Sequence, residues 1–466
     1  LSAPITGDRG ILRELLSYKS GIIGLIIILF LVLVSIYAII TIPYNEMLEL
    51  WRGSNPVWLR LPKNAAPEWW EIFIGKKLPR NIDLLPIISD KYTYVKKVIT
   101  DNTTKQIIIE YSFDFNYDDF PKEINIFFNA TYHKRRPRVS IYWKKPKGEE
   151  IHLMDYRLRS PTDKLYLSNK LTLEDKLVRY HEREIGVKFK YPITVEKSLF
   201  MDFSPEIRVL KGKYKIRFIA TLTEPEADLN AEVVIYGQVY GWAGTDHKRR
   251  DIGIAILWGT PIALIFGLSA AAMISLVQLV IAIISGWYGG IVDSVIQRVT
   301  EIFLILPFLP FLIMVDTFYN LNIWSLLLVV IVLSIFGSGV KIQRALVMQI
   351  KNYPYIEAAK VYGASGKRIM FLYILPKILP PIIPALVLSV PDFVFLEAAL
   401  AFLGLGDPVL PTWGKVVSEA FSEGAVYKGY YYWVLEPAGM LMLTAIAFSL
   451  LGLALDKIVN PKLKEQ

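Results

Sequence analysis

The stretch Glu357-Ala358-Ala359-Lys360-Val361-Tyr362-Gly363-Ala364-Ser365-Gly366-Lys367-Arg368, continued by Ile369 to Leu375 and Pro376, lies between two apolar runs, Trp324 to Val340 and Ile378 to Leu400. Its basic residues keep it clear of lipid, so the chain around it crosses a membrane while this island does not. Asn352-Tyr353-Pro354 reads as a helix start, because proline tolerates the first helical turn and asparagine can cap, and Glu357 then stands near the positive end of the helix dipole. Ala358 and Ala359 carry no bulk, and Gly363 permits a sharp corner. The pattern predicts two short helices joined at the glycine, a segment shaped to be gripped by another protein. An ordinary amphipathic helix on a membrane surface is the plainer reading of the same residues.

Composition agrees with a membrane protein carrying a soluble part. The 466 residues are 53% hydrophobic and 20% charged, with a mean hydropathy of +0.38. There is no cysteine, which excludes disulfides and thiolate metal sites. His133, His152, His181 and His247 have no ligand spacing and read as surface residues, so no metal site is expected. The net charge of +9 is concentrated between Tyr44 and Arg250.

The order Glu357-Ala358-Ala359, then Gly363, then Leu375-Pro376 resembles the cytoplasmic loop of the membrane-spanning permease subunits of ATP-binding-cassette importers. Tyr373 stands where that pattern has Ile, with Ile374 beside it. Further residues resemble the oligopeptide and dipeptide branch of this family. They are Gly244-Thr245-Asp246 with Arg250-Asp251, where Arg249 replaces a Gly; Gly286-Trp287-Tyr288-Gly289-Gly290 with Asp293; Glu397 with Leu403 to Gly406; Pro411, Trp413 and Gly414; and Gly452 with Pro461. The resemblance covers about half the chain.

It implies a type I permease fold of six transmembrane helices, with an inserted β-rich, sandwich-like extracytoplasmic domain larger than the branch leads one to expect. It also implies an ATPase-coupling loop formed by Glu357, Ala358, Ala359, Gly363, Leu375 and Pro376. The implied partners are a second permease subunit, two ATPase subunits that hold ATP and Mg, and an extracytoplasmic solute-binding protein. Permeases of this branch carry peptides or short oligosaccharides, so either cargo is expected. The rival reading is a membrane-anchored surface protein whose β-domain binds a partner and whose helices only anchor it.

The chain in order supports this organisation. Residues 1–20 are a short polar segment, and Gly21 to Ile42 is an uncharged run long enough for one span. Pro43 and Tyr44, rather than a small-residue cleavage site, follow it, so it reads as an uncleaved anchor. In 43–243 the period becomes two: Ile107 to Phe115, Ile124 to Tyr132 and Val139 to Trp143 alternate as strands, with further strands at Tyr214 to Leu222 and Ala231 to Tyr240 and a helix at Glu174 to Glu184. Asn102-Thr103-Thr104 and Asn129-Ala130-Thr131 fit the glycosylation triplet. The clusters Lys134 to Arg138 and Lys144 to Lys147 flank one strand and read as solvated loop ends, not as a nucleic-acid surface.

The permease half, 244–456, opens with a lipid-surface helix, then spans near Pro261 to Ser285, Ser294 to Val315, Trp324 to Val340, Ile378 to Leu403 and Val434 to Leu455, with a cytoplasmic tail at 457–466. Positive residues in the 341–377 loop and in the tail put both termini inside the cell and 43–243 outside. Tyr427, Tyr430, Tyr431, Tyr432 and Trp433 then mark the outer boundary.

Gly363 to Arg368 is not a phosphate loop, since Val361 replaces its first glycine and Arg368 its magnesium-binding hydroxyl. No catalytic constellation is present, and the energy must come from another polypeptide. Asp392 and Glu397, in a predicted span, are the candidates to line a pathway. The prolines at 376, 380, 381, 384 and 391 are expected to bend that span, and Pro307 and Pro310 the third.

Overall fold

The computed structural model describes residues 13–459, apart from 53–54, 88, 101–104, 187, 190–192 and 205. The triplet at Asn102 and the tail residues from Asn460 onward lie outside that description. The chain forms two units, Leu1–Arg52 with Ile254–Gln466, and Gly53–Gly253.

The first unit is helical. Lys19–Thr41, Ile252–Tyr288, Gly366–Phe402 and Tyr432–Val459 are each long and apolar enough to cross a membrane. Two further pairs reach that length only across a bend, Gly290–Ile305 with Phe308–Tyr319 at 80° and Ile323–Ile335 with Ser338–Lys351 at 45°. The described residues therefore hold four candidate spans, or up to six if each bent pair counts as one. The 80° elbow falls where Pro307 and Pro310 were expected to bend the span at Ser294 to Val315: Leu306, which precedes a proline, is extended, and Pro307 opens the next helix.

The expected surface helix before Pro261 is absent. A single helix of 37 residues, Ile252–Tyr288, takes its place and extends for roughly 55 Å. Asp251 caps it by accepting the Gly253 N–H at 2.8 Å. The prolines of the fifth span do not interrupt it. The helix Leu375–Phe402 runs unbroken through Pro380, Pro381, Pro384 and Pro391. The irregularity is a π-turn at Met370–Ile374, closed by the Leu375 N–H on the Met370 carbonyl just before Pro376.

Backbones approach closely where side chains are smallest. A Cβ on Gly24 would lie 2.8 Å from the Ala447 carbonyl, which sets the first long helix against the last. Tyr432 and Trp433, expected in an aromatic belt, are buried at the start of the last helix, whereas Tyr427 and Tyr431 are exposed.

The second unit is a β-sandwich. Among the described residues its strands are β1 Ile82–Leu84, β2 Tyr92–Thr100, β3 Lys105–Phe115, β4 Glu123–Thr131, β5 Arg138–Lys144, β6 Glu150–Arg157, β7 Thr162–Tyr166, β8 Gly212–Leu222 and β9 Asp228–Tyr236. They form antiparallel sheets of order β1-β9-β4-β7 and β2-β3-β8-β5-β6. Register places Tyr111 opposite Ile216, Val139 opposite Ala220 and Ile126 opposite Val233, so the alternating apolar residues of both sheets meet in one core. The expected helix is Leu171–Ile185, and it adds Leu173 and Leu177 to that core.

The unit is displaced by ten residues from the expected 43–243. Tyr44–Trp51 is a helix whose Met47 packs in the helical unit's core beside Trp258. At the other end the turn at Gly244 to Asp251 is laced into the β-unit. The Thr245 hydroxyl accepts the Ala65 N–H at 2.9 Å and donates to the Pro62 carbonyl at 2.7 Å. The Asp246 carboxylate takes the backbone N–H of Lys248 and of Arg250, and Arg250 Nε at 2.6 Å.

Two basic or histidine positions also differ from expectation. His181 is fully buried, and Lys145 is only 1% exposed. Lys145 Nζ donates to the Met201 carbonyl at 2.7 Å and lies 3.1 Å from His181 Nε2. The amphipathic helix Leu171–Ile185 turns His181 inward, and the Lys145 stem follows the buried Trp143 off the end of β5. The Lys134 cluster is a loop end as expected: the Glu224 carboxylate gathers the backbone N–H groups of His133, Lys134 and Arg135.

Candidate functional site

The central loop folds as two helices about a glycine. Pro354 opens the helix Pro354–Val361 at its first position; Tyr353 is the N-cap residue without a side-chain bond, and Asn352 closes the preceding helix instead of capping this one. Ile356 and Ala359, three residues apart, face inward onto Leu279, Ile283, Val347, Ile369 and Ile374. Tyr355, Glu357, Ala358, Val361 and Tyr362 face outward, with Val361 85% and Tyr362 90% exposed. The alanine pair is thus divided, Ala359 against the protein's own core and Ala358 on the open face.

The helix ends in a Schellman motif. Gly363 has φ +81, its N–H bonds the Lys360 carbonyl, and the Ala364 N–H bonds the Ala359 carbonyl, both at 3.0 Å. A Cβ at Gly363 would meet nothing within 4 Å, so glycine is required by the backbone angle alone. The Ser365 hydroxyl then accepts the Arg368 N–H and caps the second helix, Gly366–Ile369. Ile374 is fully buried and Tyr373 half-buried against the same core, so Ile374 fills the apolar place. Leu375 and Pro376 form the first turn of the long helix beyond the π-turn.

A second group of residues, not singled out as a site by sequence reasoning, holds this loop in place. At the inner turn Asp293 takes Arg344 Nε at 2.5 Å, a second bond from Arg344 Nη2, and the Ser285 hydroxyl. Gly286 admits Val347, which a Cβ there would meet at 2.7 Å. Lys351 Nζ donates to the Trp287 carbonyl at 2.6 Å. The indole of Trp287 lies under two ammonium groups, Lys351 at 5.6 Å and Lys360 at 5.2 Å from the ring centroid, an attraction of about 0.5–2 kcal/mol each. A Cβ on Gly366 would stand 3.0 Å from Trp287 Nε1. Trp287 therefore touches both arms of the glycine corner. The signal that could have found it was the resemblance at Gly286 to Gly290, which carried no role for the side chain.

The two acidic candidates are not equivalent. Asp392 is exposed on the helix Leu375–Phe402. Glu397 is 3% exposed and lies beside Thr412, whose hydroxyl caps the helix Trp413–Ser422 by accepting the Lys415 N–H. Beside it Trp413 Nε1 donates to the Ile256 carbonyl at 3.1 Å, and a Cβ on Gly414 would lie 2.4 Å from Ala398. Glu397 thus sits in a tightly packed junction of three helices.

Comparison with known proteins gives one consistent answer. Residues 278–465 match the profile of the binding-protein-dependent transport system inner membrane component. The dipeptide transport system permease protein DppC of Bacillus subtilis is 32% identical over 224 residues, 48% of this chain and 69% of that protein. The oligopeptide transport system permease protein OppC of Escherichia coli K12 is 34% identical over 220 residues, 47% of this chain and 72% of that protein. The glutathione transport system permease protein GsiD of Pectobacterium atrosepticum is 30% identical over 224 residues, 48% of this chain and 73% of that protein.

Proposed function

The chain belongs to the inner-membrane permeases of binding-protein-dependent ABC importers, in the oligopeptide and dipeptide branch, and from that premise we propose that it forms half of a path importing oligopeptides, driven through the 354–376 loop. In this reading a second permease subunit completes the path, two ATPase subunits bind ATP and Mg, and a solute-binding protein delivers the cargo. In the same reading the chain crosses six times, with both termini in the cytoplasm and the β-unit Gly53–Gly253 outside. In this reading Asp392, exposed on its helix, lines the path, and Glu397 stands behind it in the helix junction.

The observation that carries the proposal is the divided face of the helix Pro354–Val361. One side is locked into the protein by Ile356 and Ala359, and the other presents Tyr355, Glu357, Ala358, Val361 and Tyr362 to solvent. An apolar and aromatic surface of that kind on a short, firmly held helix suits a groove on another polypeptide. Force applied there passes through the Schellman corner and Trp287 into two long helices, Ile252–Tyr288 and Gly366–Phe402. A peptide cargo follows the names of the relatives, which are dipeptide, oligopeptide and glutathione permeases.

Affinity purification followed by reconstitution tests the assignment. ATPase subunits and a second permease should co-purify, and the assembly should accumulate labelled peptide when ATP and the binding protein are present. Uptake of a labelled oligosaccharide in place of peptide would overturn the cargo, and purification of the chain alone would overturn the importer.

A further inference from the structure

We propose that the segment Glu68–Ile74, together with Trp242, is a membrane-seating face, whose apolar side chains enter the headgroup layer of the bilayer and fix the β-unit against it. Ile72 is 80% and Phe73 75% exposed, and Ile74, Trp69 and Trp242 are exposed beside them. Scattered apolar residues on a surface need no explanation, but a contiguous aromatic and aliphatic group of this kind does.

The face is built rather than loose. Trp69, Trp70 and Phe73 pack ring to ring at centroid distances of 5.5–6.1 Å, and Trp69 Nε1 donates to the Trp242 carbonyl at 2.7 Å. Both carboxylates of the segment are turned back into their own unit. Glu71 accepts the Leu78 N–H at 2.9 Å, and Glu68 pairs with Arg80 at 3.1 Å. What remains outward is apolar, followed directly by the exposed Lys76 and Lys77.

Its place in the β-unit names the occupant. The Glu68 N–H bonds the Gly241 carbonyl at 2.8 Å, which ties the segment to the strip of chain that precedes the long helix. The indole of Trp242 lies against Gly253 in the first turn of that helix, where a Cβ would come within 2.8 Å of the ring. The face therefore belongs to the end of the β-unit at which the chain enters the bilayer. Tryptophan and phenylalanine with adjoining lysines match the requirements of that layer, rings among the glycerol groups and ammonium groups on the phosphates. The inference depends on the chain crossing a membrane and not on what is transported.

The absence of cysteine makes the test direct. Ile72→Cys and Phe73→Cys, each carrying a nitroxide in the full chain, are placed in phosphatidylcholine and phosphatidylglycerol vesicles, with Lys97→Cys on the exposed part of β2 as the aqueous reference and Leu33→Cys in the first span as the lipid reference. The ratio of collisions with oxygen to collisions with a water-soluble nickel chelate should rise several-fold at 72 and 73 relative to 97, toward the value at 33. A ratio at both positions equal to that at 97 overturns the proposal. So does a ratio that changes only on adding the solute-binding protein, which would assign the face to a protein partner. Neither outcome depends on uptake, so the importer assignment is tested separately.

Discussion

Arg249 occupies a left-handed backbone angle, φ +68, at the place where the branch has glycine. The conformation explains the glycine, and the side chain explains its replacement. Arg249 pairs with Glu123, donates to the Leu61 carbonyl at 2.7 Å and lies 4.4 Å over the Tyr236 ring. These contacts tie the Gly244 to Asp251 turn to the strands of the β-unit, which gives the substitution its reason. Arg249→Ala keeps the backbone strain and loses the contacts, whereas Arg249→Gly loses the contacts but is relieved of the strain. Both should lower the urea midpoint of the β-unit, with alanine about 1 kcal/mol worse than glycine.

Lys145 and His181 make a second prediction at this scale. Burial holds the Lys145 ammonium down to about 7 from 10.5, and burial with Lys145 beside it holds His181 down to about 4 from 6.5. In each window, 4 to 6.5 and 7 to 10.5, the unfolded chain binds a proton that the folded chain has shed, so stability rises with pH. The urea midpoint followed by circular dichroism should climb between pH 7 and 10, and Lys145→Met should flatten that climb and narrow the acid window, because the ammonium no longer holds His181 down.

At the scale of elements, legibility in the sequence followed position in the sheets. The strands readable from alternation, β3, β4, β5, β8 and β9, are the interior strands, whose alternate residues are all buried against the opposite sheet. The four that alternation did not reveal, β1, β2, β6 and β7, are the sheet edges. Strand β2 shows why: its last residues, including Val98 and Ile99, are exposed, so no period is enforced there. The glycine corner of the central loop was legible because its backbone angle demands a residue type. The Trp287 contacts were not, since they join residues far apart in sequence through a ring that stands between two lysines. Trp287→Ala should loosen the loop without unseating Lys351 from the backbone carbonyl. ATP-driven uptake should fall by up to about tenfold, with unchanged amounts of subunit in the membrane.

At the scale of the molecule, apolar run length gave the hydrophobic segments and Pro307 marked the sharper bend, whereas the 45° bend at Gly337 was not legible because a glycine in a run does not by itself break a helix. The bent pairs at Pro307 and Gly337 leave the path of the chain to be fixed by topology. Single cysteines at Lys97 and at Lys351 should be modified from opposite sides of the membrane, Lys97 from outside. Modification of both from one side would change the number of crossings.

The loop about Gly363 links these scales, one backbone angle setting the orientation of a helix through which the whole assembly is proposed to be driven. Its space is open to a side chain, so Gly363→Val tests the corner without disturbing the core. The decisive measurement is ATP-dependent peptide uptake alongside ATP hydrolysis by the reconstituted assembly carrying Gly363→Val. The account predicts that the subunit still inserts and assembles while uptake per ATP hydrolysed collapses; unchanged uptake and hydrolysis in that variant would contradict it.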